Sequence, residues 1–210
     1  MSESAPVVVP SPITTPTTSP AAAQSPLLPF VDEFDDDRNG WGGPYQSFVD
    51  GQFVWTMPPG QSDTRAPDTL IAVEGELDRL ELETTFMASG VLAVGFECAY
   101  AERSGSSEFY NLELAMDGAV ILKRPLGTGP VEVLATNKEV TLTKEPTVLG
   151  ARCALVDGTY ELSLSVDGQP AVEVVDDEPF GPGAPGLVVR ADAESGDQIV
   201  RFDRFDVEAG

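Results

Sequence analysis

Tyr160-Glu161-Leu162-Ser163-Leu164-Ser165-Val166-Asp167-Gly168-Gln169-Pro170-Ala171-Val172-Glu173-Val174-Val175 is the stretch whose reading decides the fold. Tyr160, Leu162, Leu164 and Val166 share one face of an extended chain, and Glu161, Ser163 and Ser165 share the other. A period of two is the pattern of a half-buried strand. Asp167-Gly168 follows with two residues that tolerate positive φ, as a tight hairpin turn requires. The stretch therefore predicts a hairpin from Tyr160–Val166 into Ala171–Val175.

The same grammar extends outward. In Leu80-Glu81-Leu82-Glu83-Thr84-Thr85-Phe86 the leucines point one way and the glutamates the other. Phe109-Tyr110-Asn111-Leu112-Glu113-Leu114 sets Tyr110, Leu112 and Leu114 on one face, and Val91–Phe96 is apolar enough for a central strand. Gly186–Val189 is a further run, and Ile199–Val207 the last. There Phe202 and Phe205 differ in parity, which predicts a bulge between them. Asp117-Gly118 and Asp157-Gly158 mark further hairpins, and Pro179–Gly186 is a rigid connection. No window of 11 or more residues carries a helical period. Ten or more short strands with close turns predict an all-β fold, a two-sheet antiparallel β-sandwich with packed inner and wet outer faces.

Composition divides the chain. Residues 1–30 hold seven Pro, five Ser and four Thr but one charged residue, Glu3. Such a stretch cannot bury enough apolar surface to offset its ordering entropy. The expected organisation is a disordered Pro/Ser/Thr-rich stalk or linker over 1–29 and one domain over 30–208. The formal charge of −23 and the lack of any basic cluster longer than Lys123-Arg124 set nucleic acid and anionic membranes aside. No segment approaches 18 apolar residues, so direct membrane insertion is not expected, and Val7-Val8-Val9 is too short for a signal-peptide core. Either the protein stays inside the cell, or the tail tethers it to a longer chain or anchor with the domain extracellular or at a cell surface; the stalk-like tail favours the second.

Cys98 and Cys153 are the two cysteines, and the chain has no histidine and no CxxC. Zinc and iron–sulfur ligation, Ser-His-Asp chemistry and a Cys-His nucleophile are thereby unsupported. The pair reads as a disulfide between neighbouring strands, with two buried thiols and a redox pair as the alternatives. A disulfide would argue for an oxidising compartment.

Several segments in this order carry a resemblance: Phe30-Val31-Asp32-Glu33-Phe34 with Asn39-Gly40-Trp41, the Leu80–Phe86 run, Gly95-Phe96-Glu97-Cys98 with Phe109–Leu114, and Arg152-Cys153 with Thr159–Pro170. Gly186–Val189 and Val200-Arg201-Phe202-Asp203-Arg204-Phe205-Asp206-Val207 close the series. Together they resemble the concanavalin A-like lectin/glucanase superfamily in its LamG-like jelly-roll form, over nearly all of 30–208. The resemblance implies a jelly roll whose first and last segments pair, and a fold used mostly to recognise glycans or proteins and less often to hydrolyse glycans. No ligand motif carries over from it.

Three sets of side chains are candidates for chemistry. Glu76, Asp78 and Glu81 match the Glu-x-Asp-x-x-Glu pattern of glucanases in that superfamily, whose roles would be nucleophile, assisting acid and acid/base. Retaining hydrolysis needs two carboxylates about 5–5.5 Å apart. In a regular strand, however, Glu81 points away from Glu76 and Asp78, so solvated acids are the preferred reading. Asp32, Asp35, Asp36 and Asp37, beside Glu33, could supply the oxygens calcium wants; a second acidic run is Asp176-Asp177-Glu178. The simpler reading of both is a solvated or capped turn, and no other cofactor is expected. Trp41, Tyr45, Trp55 and Tyr100 could stack on sugar rings. The competing reading makes Trp41 a plug of the sandwich end and Trp55 part of the core or groove wall. The expected function is noncatalytic recognition or adhesion, with a glycan or surface protein as partner. The rivals are a structural or assembly domain of a surface or particle component and a β-glucan hydrolase.

Overall fold

The computed structural model describes residues 28–71, 79–103, 106–125, 129–181, 183–193, 196 and 198–209. The expected tail over 1–29 lies almost wholly outside them. Within them, alternation and Asp-Gly turns produce two antiparallel sheets. The larger runs, edge to edge, β12 (Gln169–Asp176), β11 (Thr159–Val166), β10 (Thr147–Val156), β5 (Arg79–Ser89), β14 (Gln198–Ala209), β3 (Gln52–Met57) and β2 (Gln46–Val49). β1 (Phe30–Asp32) also pairs with β14, so the first and last strands meet, as the resemblance implies. The smaller sheet runs β4 (Ser62–Arg65), β13 (Ala184–Ala191), β6 (Val91–Arg103), β7 (Ser106–Ala115), β8 (Gly118–Arg124) and β9 (Glu132–Asn137). One turn of helix, α1 (Asp68–Ile71), follows β4.

The turns do what their residues allow. Asp167 and Gly168 have φ of 51° and 73°, and Asp157 and Gly158 have 50° and 87°. Both pairs thus take positive φ twice, which matches the twist of the strands they join. Asp50-Gly51 joins β2 to β3 with the same signature, 54° and 73°. Between Phe202 and Arg204 the pairing of β14 with β5 slips. That bulge lets Phe202 and Phe205, of opposite parity, both reach the interior with no exposed surface.

The core lies between the sheets. Leu80, Leu82, Phe86, Leu149, Tyr160, Leu162 and Leu164 descend from the larger sheet; Val94, Phe96, Tyr110, Leu112, Ile121, Leu187 and Val189 rise from the smaller. Each such side chain contributes roughly 1.5–3 kcal/mol by leaving water. Cys98 and Cys153 form a disulfide. Cys98 belongs to β6 and Cys153 to β10, so the bond staples one sheet to the other across the core. The expectation of a bond between neighbouring strands is corrected: the two strands lie in different sheets.

Near one edge of the sandwich, polar groups are buried as a set. Tyr110 Oη donates to Asp176 Oδ2 at 2.6 Å, and Lys123 Nζ lies 2.7 Å from the same oxygen. Lys123 also donates to the Glu178 carbonyl and sits 5.1 Å from the centre of the Phe180 ring. Burial would raise the Asp176 carboxyl, but the bonds from Lys123, Tyr110 and the Glu178 amide outweigh it and hold it below the usual range. The acids of the second run are therefore partly structural: Asp176 fastens the chain that leads toward β13.

Candidate functional site

The outer face of the smaller sheet carries an unusual strip. On β6, Val94, Phe96 and Cys98 enter the core, so Gly95 and Glu97 face outward. Glu97 is nevertheless only 5% exposed. Its Oε2 accepts from Thr64 Oγ1 of β4 at 3.4 Å, and Asn111 of β7 stands opposite it in register. Glu113, two residues along β7, faces Gly95. A β-carbon on Gly95 would fall 2.8 Å from the Glu113 Cα, so glycine permits this close approach of β6 and β7. Glu113 is fully buried, with Oε2 receiving Arg190 Nε at 2.6 Å and Oε1 receiving Asn111 Nδ2 at 3.1 Å.

These two carboxyls are treated differently by their surroundings. Glu113 has a guanidinium partner. Among the described residues Glu97 has one hydroxyl partner and no cation in contact, and it is almost wholly withdrawn from water. Burial, opposed by the Thr64 hydroxyl and reinforced by the Glu113 charge, lifts the Glu97 carboxyl to about 8. At neutral pH it holds its proton and is both donor and acceptor.

Glu97 lies in the wall of a cleft of about 570 Å³. Thr64 and Arg65 of β4, Tyr100 of β6, Phe109 of β7 and Arg124 of β8 line it as well, with Asp68 of α1 at its side. Tyr100 reaches the cleft through a second irregularity. The β6–β7 register slips between Cys98 and Ala101, and Ala99 takes φ 54°. Ala99 thereby turns into the core and Tyr100 outward, reversing the parity that regular alternation would impose. A β-carbon on Gly183 would lie 2.5 Å from the Ala99 carbonyl carbon, so the chain entering β13 presses against this bulge. Arg124 lies over Phe109, 5.7 Å from the ring centre. Arg65 pairs with Asp63 at 2.9 Å and donates to the Thr64 carbonyl, while its Nε has no hydrogen-bond partner among the described residues.

The other expected site residues fall elsewhere. Trp41 is fully buried, T-shaped against Phe34 and Phe205 at 5.4 and 5.1 Å. Trp55 is fully buried beside Phe53 and Phe202. Neither ring has a free face for a sugar, so both leave the stacking set and join the core. Tyr45 is half-buried and packs against that core. Asp32 is 5% exposed: Oδ2 accepts from Trp41 Nε1 and Asn39 Nδ2, each at 2.7 Å, and Oδ1 from the Phe34 amide at 2.8 Å. It anchors the opening turn. Asp36 pairs with Arg38 at 2.8 Å, and Asp35 and Asp37 are exposed. Among the described residues, no group of three or more acids or cysteines is placed to hold a metal ion. Glu76 and Asp78 lie outside the described residues. Glu81 is on β5, exposed, with its carboxylate 3.3 Å from Arg152. It lines a shallow groove on the outer face of the larger sheet, which is the other side of the sandwich from Glu97.

Thr64, Arg65, Glu97, Phe109 and Arg124 were not singled out by the sequence. A lone acid inside the apolar run Val91–Ala99 was the one available signal. The others come from separate strands and meet through the strand order.

No family model matches the chain, and no curated protein matches it in sequence. Solved structures do match. The carbohydrate recognition domain of Emp46p, in its metal-free form, aligns with TM-score 0.58 at 14% identity, over 80% of this chain and 87% of that one. A Bacillus licheniformis β-glucanase aligns with TM-score 0.57 at 11% identity, over 86% and 97%. The carbohydrate binding module CBM66 from Bacillus subtilis aligns with TM-score 0.53 at 13% identity, over 74% and 86%. Identities this low speak to architecture, and the architecture of this chain is the concanavalin A-like jelly roll.

Proposed function

We propose that the chain is a noncatalytic glycan-binding module that works outside the cell, and that the cleft around Glu97 is its binding site. The observation that carries this reading is the cleft's composition. Tyr100 and Phe109 offer ring surface for the C–H faces of a sugar, while Thr64, the Glu97 carboxyl and Arg65 offer donors and acceptors for its hydroxyls. Two of the similar structures, a carbohydrate recognition domain and a carbohydrate binding module, are in keeping with it. The Cys98–Cys153 disulfide suits an oxidising compartment, and a Pro/Ser/Thr-rich segment ahead of residue 30 suits a tether.

A hydrolase is the rival that the Glu97 proton and the glucanase-like fold favour. Glycoside hydrolysis needs a second carboxylate free to attack the sugar or activate water. Of the carboxylates around Glu97, Glu113 is fully buried with both oxygens taken by Arg190 and Asn111, and Asp63 is paired with Arg65, which leaves the exposed Asp68 at the side of the cleft as the second carboxylate a hydrolase would need. Incubation with lichenan and laminarin tests this: binding without reducing-sugar release is expected, and turnover abolished by Glu97→Gln would establish the hydrolase instead.

A further inference from the structure

The proton on Glu97 has a consequence for what the cleft accepts and when. From β4 the group is faced by Thr64, with Asp63 and Arg65 beside it; from β7 by Asn111, with Glu113 two residues along and bonded to Arg190; from β13 by the uncharged Gly186; and Arg124 of β8 and Asp68 of α1 line the same cleft. Among the described charges around the cleft, Arg65 is matched by Asp63 and Arg190 by Glu113, leaving Arg124 to offset Asp68. With Glu97 protonated these described charges sum to near neutral. The cleft sits in a chain of net charge −23, whose field repels polyanions. If Glu97 ionises, a charge appears that no contacting cation among the described residues balances, near the buried Glu113.

Resting on the reading of this cleft as a glycan site, we propose that Glu97 is its specificity-determining residue: its protonated carboxyl hydrogen-bonds a hydroxyl of an uncharged saccharide, and ionisation releases that saccharide. A neutral carboxyl can give a hydrogen bond and take one, which matches a sugar hydroxyl that does both. The carboxylate can only accept, and it needs solvation that an occupied cleft denies.

Affinity gel electrophoresis with laminarin, lichenan and polygalacturonate, at pH 6 and pH 9.5, tests the proposal with the wild type and Glu97→Gln. The amide keeps a donor and an acceptor but cannot ionise. The wild type should be retarded by a neutral polymer at pH 6 and at least tenfold more weakly at pH 9.5, the variant equally at both, and polygalacturonate should retard neither. Retardation of the wild type that ignores pH, or a variant that loses binding as the wild type does, overturns the proposal and leaves the binding reading standing. Retardation by polygalacturonate overturns the choice of an uncharged ligand. No retardation by any polymer overturns the binding reading together with the proposal. Carbon-13 NMR of glutamate-labelled protein adds a readout that needs no ligand. A Glu97 carboxyl titrating near pH 8, identified by its absence in Glu97→Gln, is expected; a midpoint below 6 overturns the gate.

Discussion

Replacing Glu97 with Gln should change how stability depends on pH, in a direction the cleft's geometry dictates. Glu97 is buried and holds its proton to about pH 8 in the folded chain, whereas its ordinary value is 4.5. Between those values the unfolded chain has released a proton that the native chain keeps. Stability changes with pH in proportion to protons bound by the unfolded minus the native state, so here it falls as pH rises. The contribution is fully present below 4.5 and is lost by the time pH passes about 8. A displacement of about 3.5 units corresponds to ~5 kcal/mol at roughly 1.4 kcal/mol per unit. That is a large share of the 5–15 kcal/mol typical of a domain. Urea unfolding, followed through the fluorescence of the buried Trp41 and Trp55, gives the free energy at each pH from 4.5 to 9. The wild type minus variant difference isolates Glu97 from every other acid. It should fall by several kcal/mol across this window and level off above pH 8. Parallel curves for the two proteins would refute the claim that Glu97 is protonated at neutral pH.

Other consequences are independent of that titration. Removing the staple between the sheets with Cys98→Ala/Cys153→Ala opens a 55-residue loop and should cost about 4 kcal/mol, seen as a fall in Tm of roughly 10 °C by calorimetry. Lys123→Met should cost about 3–5 kcal/mol in urea unfolding because it leaves Asp176 buried without its cation, and adding Asp176→Leu should restore much of the loss. Asp32→Ala orphans the Trp41, Asn39 and Phe34 donors and should cost about 2–3 kcal/mol; millimolar calcium should leave the wild-type Tm unchanged, since Asp32 already spends both oxygens. Tyr100→Ala and Phe109→Ala should each weaken glycan binding about tenfold with Tm nearly unchanged, measured by calorimetric titration.

The fold was legible wherever its rule was local. Leu80 and Leu82 face the core and Glu81 and Glu83 the solvent because side chains alternate along a strand, and that needs no knowledge of partners. Asp157-Gly158 and Asp167-Gly168 announce their hairpins because few residue pairs accept positive φ twice. The parity conflict of Phe202 and Phe205 revealed a bulge for the same reason. What depends on strand order was not legible. Cys98 and Cys153 could be paired from the sequence, but their joining of opposite sheets follows from which sheet receives β6 and β10. The cleft is assembled from β4, β6, β7, β8 and α1, and β4 reads Ser62-Asp63-Thr64-Arg65, with no alternation of apolar residues to announce it. Tyr100 faces outward through an irregular turn at Ala99 that parity alone would misplace. For the tryptophans a signal existed: Phe53, Trp55 and Met57 share one parity, and all three are buried. An aromatic residue in register with such neighbours belongs to the core before it belongs to a ligand.

The central claim is that the outer face of the smaller sheet, at Glu97, Tyr100 and Phe109, holds a sugar. A glycan array probed at pH 6 with the wild type and with Tyr100→Ala/Phe109→Ala, both confirmed folded, tests it most directly. Uncharged glycans bound by the wild type and lost in the double variant are the predicted result. An array with no bound glycan, or one bound equally by both proteins, would contradict it.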